Sequence, residues 1–131
     1  SCILRTMRPG ARIEIGPDTG ISGGVICAAV SVTIGKECLL GADVLIADND
    51  FHPLKPEGRR FNNNVDDIAA KPVVIGDNVF IGTRSMILKG VTIGENSVVG
   101  ACSVVSKNIP ANEIWAGNPA VFIRKNILAS Q

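Results

Sequence analysis

Aliphatic side chains recur at strict intervals of six along most of this chain. Ile75, Ile81, Ile87, Ile93, Val99 and Val105 mark a downstream run, and Ile34, Leu40 and Ile46 mark an upstream run of the same period. Glycine follows several of them, as at Gly35, Gly41, Gly76, Gly82, Gly94 and Gly100. The fifth place of each hexad is small or β-branched: Cys38, Val44, Val79, Ser85, Val91, Ser97, Ser103. A helix would need spacings of three and four, which are absent. A period of six suits a coil of short strands joined by tight corners, each aliphatic pointing inward and stacking on its equivalent one coil away. Neighbouring coils then pair as parallel strands about 4.8 Å apart. Glycine in the second place is read as a corner residue whose backbone angles a side chain would resist.

The pattern fails in two places. Ile15 and Ile21 are six apart, yet the in-phase place behind Ile34 is Ala28, so one extra residue within Ile26 to Ala28 is expected to bulge the coil. The second failure is larger. After Asp50 the chain reads "FHPLKPEGRRFNNNVDDIAAKP", with Pro53, Pro56, Gly58 and three consecutive asparagines, before the hexads resume. The chain's one histidine, His52, stands at the first turn of this excursion. A long connection without structure of its own usually covers a site or grips a neighbour. The alternative is a tolerated, solvated insertion; against it stands an imidazole held by a rigid strand yet accessible.

Composition sharpens this picture. At 131 residues one core is expected, and 46% apolar residues with 4% aromatics describe a narrow interior of stacked Ile, Val and Leu. The expected organisation is a single domain over residues 1–131: coils at about 11–51 and 69–108, an extruded loop at about 52–68, and a tail at 109–131. A thin solenoid leaves its flat sides uncovered, so a closed homo-oligomer is expected. A net charge of +1 with scattered basic residues gives no footprint for nucleic acid. No apolar run reaches membrane-spanning length, and "SCILRTMRPG" lacks the features of a secretory signal; a cytoplasmic protein without membrane insertion is expected. A start at Ser1 fits a processed chain or a piece of a longer one. Cys2, Cys27, Cys38 and Cys102 have no zinc-type spacing, so no metal is expected, and Cys38 reads as a core or corner thiol.

The hexads, "DFHPL" ahead of a polar loop, "KPVVIGDNVFIGTRSMILKGVTIGENSVVGACSVVSKNIP" and the terminal "WAGNPAVFIRK" together resemble the hexapeptide-repeat acyltransferases, closest to the maltose, galactoside and polysaccharide O-acetyltransferase group. The resemblance spans about residues 11–126. It implies an all-β fold, a left-handed parallel β-helix, whose hand runs against the usual crossover rule. It also implies a homotrimer with active sites between subunits, and acetyl coenzyme A as acetyl donor.

By the same resemblance His52 matches the catalytic general base, a role suited to an imidazole because it gains and loses a proton near neutral pH. The oxyanion formed on the thioester carbonyl needs a donor, for which a backbone N–H serves. Asp50 or Asp48 is a candidate to hold the other ring nitrogen or to face the acceptor, with a corner-capping carboxylate as the alternative. Thr83, Ala101, Ser106, Lys107 and Arg124 fall on coenzyme A contact positions, and Lys125 is a further candidate for its phosphates. Trp115 is expected to pack the tail onto the last coil.

The chain also departs from the group. Where its galactoside and maltose members carry an acceptor-facing asparagine and aspartate, "GISGGVICAAV" has neither; Ile21, Ser22 or Gly23 stands near the first place and Ala28 or Ala29 near the second. Val121 replaces a basic residue after "GNPA". The expected reaction is therefore acetyl transfer to a hydroxyl of a sugar or polysaccharide precursor, with Arg59 and Arg60 favouring an acidic acceptor if they are more than solvated loop residues. Rival readings are acetylation of an amine on an amino sugar or antibiotic, and a non-catalytic assembly solenoid. A γ-type carbonic anhydrase shares the fold but needs three histidines around its metal.

Overall fold

A computed structural model describes residues 1–127. The chain winds into three parallel sheets that form the sides of a solenoid. The first side holds β1 (Cys2–Thr6), β4 (Gly24–Ala28), β7 (Val44–Ala47), β10 (Met86–Ile87) and β13 (Val104–Val105). The second holds β2 (Arg12–Ile15), β5 (Ser31–Ile34), β8 (Val73–Ile75) and β11 (Thr92–Ile93). The third holds β3 (Gly20–Ile21), β6 (Leu39–Leu40), β9 (Phe80–Ile81), β12 (Val98–Val99) and β14 (Glu113–Gly117), closed by an antiparallel β15 (Ala120–Lys125). Strands thus begin at Cys2, ahead of the first regular hexad.

The hexad register holds residue by residue. Ile34, Leu40, Ile46, Ile75, Ile81, Ile87, Ile93, Val99 and Val105 are all at most 2% exposed, and the fifth-place residues from Cys38 to Ser103 are buried beside them. In-register stacks such as Ile34 on Ile75 on Ile93 form the core. Trp115 pairs with Val99 and packs on that core, so the tail does close the last coil.

Two details differ from the sequence expectation. The second-place glycines are not the residues with unusual backbone angles: positive φ falls two places later, on Glu37, Asp43, Asn78, Arg84, Asn96 and Cys102. Glycine is needed because the coils touch there. A Cβ on Gly82 would lie 2.6 Å from the backbone nitrogen of Ala101 in the next coil, inside any real van der Waals contact. The phase slip is also not a single inserted residue near Ile26 to Ala28. Ile26, not Ala28, is the inward partner of Ile46, so the step from Ile21 is one residue short and the step to Ile34 is two residues long. The surplus widens the corner at Ala28 to Ser31, between the first and second sides.

Candidate active site

That widened corner explains the excursion. Asp48, at the end of β7, turns its carboxylate into it: Ala29 donates to Oδ1 at 2.7 Å, and Val30 and Ser31 donate to Oδ2 at 2.7 and 2.8 Å. Asn49 adds a fourth donor at 3.0 Å. Asp48 is 0% exposed. The expectation that it faces the acceptor or the histidine is therefore corrected: both oxygens are taken by backbone N–H groups, and the residue caps a corner. Buried carboxylates need such partners, and the two extra residues supply them.

The next residues form the loop's root. Asn49 bridges Ala70, Asp50 N–H donates to the Ala69 carbonyl at 3.1 Å, and Lys71 N–H donates to the Asp48 carbonyl at 2.8 Å. Phe51, at φ 64°, donates to Asn49 Oδ1 at 2.8 Å, and His52 N–H folds back onto the Asp50 carbonyl at 2.7 Å. The His52 ring emerges exposed, with no side-chain hydrogen bond to another described residue. Asp50 does not hold it: its Oδ1 is 2.7 Å from Lys89 Nζ, a residue of the following coil that sequence reasoning missed.

Beyond His52 the loop is ordered into two short 3-10 turns, Arg59–Phe61 and Val65–Asp67. Arg8, from the first coil, reaches over to donate to the carbonyls of Val65 and Ile68, each at 2.6 Å. Arg59 bends back to the Leu54 carbonyl at 2.8 Å, and Arg60 lies over the Phe61 ring at 5.6 Å. His52, Pro56, Arg59 and Arg60 line one open depression of about 600 Å³. A second, on the loop's other side, is lined by Pro53, Leu54, Asn62 and Asp67 and holds no imidazole.

The remaining candidates divide between the corners. Ser106 and Lys107, both exposed, follow β13 and share a corner column with the His52 loop and Lys89. Ser22, Thr83 and Ala101 lie on the corner column at the opposite edge of the first sheet, all exposed, with Thr83 Oγ1 donating to the Ala42 carbonyl at 2.7 Å. Arg124 stands opposite Ile114 on the third side. Lys125 is engaged at home: its ammonium is 2.9 Å from Glu113 Oε2, while Trp115 Nε1 donates to Oε1 at 2.9 Å. These two donors, Trp115 foremost, hold the Glu113 carboxyl below its usual range.

One signal for the edge that carries the loop was present in the sequence. Within the two regular hexad runs, glycine occupies the second place at two of the three corners, but Ala47, Leu88 and Ser106 occupy it at the third. That third column carries the loop.

Comparison with known proteins agrees with this architecture. Residues 72–107 match the family described as bacterial transferase hexapeptide (six repeats), and residues 31–46 match a hexapeptide repeat of succinyl-transferase. A polysialic acid O-acetyltransferase of Escherichia coli O1:K1 is 39% identical over 121 residues, 91% of this chain and 38% of that protein. The chain thus spans well under half the length of that relative. Among solved structures, a hexapeptide-repeat-containing acetyltransferase of Vibrio cholerae superposes with a TM-score of 0.79 at 32% identity, over 95% of this chain and 71% of that one. That protein has also been solved with acetyl coenzyme A. A galactoside acetyltransferase in complex with coenzyme A gives a TM-score of 0.79 at 33% identity, over 95% of this chain and 60% of that one. With these neighbours the solenoid is a left-handed parallel β-helix.

Proposed function

The chain belongs to the hexapeptide-repeat acetyltransferase superfamily, and from that premise we propose that it transfers acetyl from acetyl coenzyme A to a hydroxyl of a saccharide, with His52 as general base. The observation that carries this reading is the placement of His52: one exposed imidazole, on a turn whose Asp50, Phe51 and His52 N–H groups are each hydrogen-bonded, at the mouth of a depression beside a basic loop. His52 takes the proton of the acceptor hydroxyl as its oxygen attacks the thioester carbonyl. A backbone N–H steadies the resulting oxyanion. Collapse breaks the carbon–sulfur bond, and the imidazolium returns the proton to the departing thiolate. Arg59 and Arg60 beside the ring, together with relatives named for polysialic acid, favour an anionic saccharide as acceptor.

The working form we propose is a homotrimer with the site between subunits. Two outer faces carry apolar residues in register: Ile3, Val25, Leu45, Met86 and Val104 on the first side, and Leu39, Phe80, Val98 and Ile114 on the third. Ile3 and Leu39 are more than half exposed in one chain, which is a surface suited to burial against copies of itself. The cofactor candidates fit this arrangement, since Thr83 and Ala101 on one edge and Ser106 and Lys107 on the other would meet across neighbours. With acetyl coenzyme A as donor, the reading includes a cytoplasmic reaction.

The test is release of free thiol from acetyl coenzyme A with sialylated and neutral oligosaccharides as acceptors. His52→Ala is expected to lower turnover roughly 10²–10⁴-fold, the range of a positioned general base, while acetyl coenzyme A affinity by calorimetry stays unchanged. Wild-type turnover in that variant would remove His52 from the mechanism.

A further inference from the structure

We propose that Lys89 and Asp50 are a positioning pair for His52, so that their ion pair governs the rate of the chemical step and not the binding of substrates. The proposal rests on the general-base reading above. Its ground is the construction of the loop's root. Two aspartates two residues apart leave β7 in opposite senses: Asp48 is gripped by the widened corner of the coil before the loop, and Asp50 by Lys89 from the corner of the coil after it. The His52 turn hangs between these two attachments.

Asp50 is the hub of that turn. Its N–H donates to Ala69, its carbonyl accepts from His52 at 2.7 Å, and its Oδ1 lies 2.7 Å from Lys89 Nζ. The pair is set at the protein's edge of solvent, the carboxylate 19% exposed and the lysine side chain 37%. A charge-assisted bond this short in partly dry surroundings is stronger than a surface ion pair. The other oxygen, Oδ2, is enclosed and has no hydrogen-bond partner among the described residues. A buried acceptor left without a donor is costly. The His52 ring, two residues along, has no side-chain hydrogen bond to another described residue, so its aim depends on the turn that carries it. Lys89 fixes the carboxylate of the residue whose carbonyl holds the His52 N–H, and a turn displaced by about 1 Å can cost on the order of 10²-fold in rate.

The experiment is steady-state kinetics of full-length Lys89→Met, Lys89→Arg and Asp50→Asn, each also placed on a His52→Ala background. Lys89→Met and Asp50→Asn are expected to lower kcat about 10- to 100-fold with KM for acetyl coenzyme A unchanged, and Lys89→Arg to recover most of the loss. On the His52→Ala background the same changes are expected to do nothing further, because the pair acts through the ring. Wild-type kcat in Lys89→Met beside an impaired His52→Ala overturns the pair and leaves the base standing. A loss that persists in full without His52, or one confined to KM, also overturns it. Wild-type kcat in His52→Ala itself overturns the base reading, and the pair with it.

Discussion

The coil stack from Val73 to Val105 and the loop root, made of the corner at Ala28 to Ser31 and the segment Asp48 to His52, occupy the same solenoid but are held by opposite means. In the stack every inward place is aliphatic or small, every six residues, and the buried polar side chains, Ser85, Ser97 and Ser103, donate to backbone carbonyls of the corners. At the root the enclosed polar residues are Asp48 and Asn49, and what fixes them is donors arranged for them: three backbone N–H groups on one carboxylate, and an amide bridging Asp48 to Phe51. Burial by hydrophobic stacking tolerates repetition and so produces a regular shape. Burial of a charge demands one particular surrounding, and that requirement breaks the repeat at the place where the chain must leave the coil and aim a side chain.

The largest expected effect separates the two regions directly. Asp48→Ala leaves three donors of the widened corner facing a void. At about 1–3 kcal/mol for each donor left unpaired, and with two of the three only part-buried, a loss of at least about 3 kcal/mol is expected in urea denaturation, a large part of a small domain's stability. Asp48→Asn is expected to recover part of it. Were Asp48→Ala as stable as the parent, the corner would be a passive bulge and the contrast drawn above would fail. Gly82→Ala probes the stack in the same assay. Its Cβ would sit 2.6 Å from Ala101 N, so neighbouring coils must part, at a cost of about 1–3 kcal/mol. At the third corner the equivalent place already holds Leu88, which is 38% exposed.

This contrast also explains what was readable from sequence. A stack whose inward residues repeat every six positions states its own register, and all nine aliphatics from Ile34 to Val105 proved buried. The site was readable in part: His52 stands out as the single histidine at a break in period. Asp48's partners were not, because they are backbone groups and carry no residue signature; the slip near Ala28 showed that a corner was irregular but not what it enclosed. Lys89 went unnoticed because a lysine in the third place of a hexad resembles any solvated corner residue. The glycines misled in mechanism only. Their position was right, but the crowding that requires them lies in the next coil, 19 residues on from Gly82 to Ala101, where a local reading of backbone angles does not look.

The smallest effect tests whether the closing hairpin belongs with the stack or with the root. Glu113 is buried at the start of β14, yet it is held in the manner of Asp48, by donors brought to it: Trp115 Nε1 and Lys125 Nζ, each at 2.9 Å. Both bonds favour the charged carboxylate, and its pKa is lowered. A carboxyl with a depressed folded-state pKa contributes stability that is fully present above its unfolded value, about 4.3 for a glutamate, and is lost as pH falls through the lower folded value. Titrating the denaturation midpoint from about pH 6 to about pH 3 should therefore show the parent losing more stability than Glu113→Gln, with the two curves converging in acid. Parallel curves would mean that Trp115 holds the hairpin by packing on Val99 alone, as the stack would, and that Lys125 is free to meet an anionic ligand.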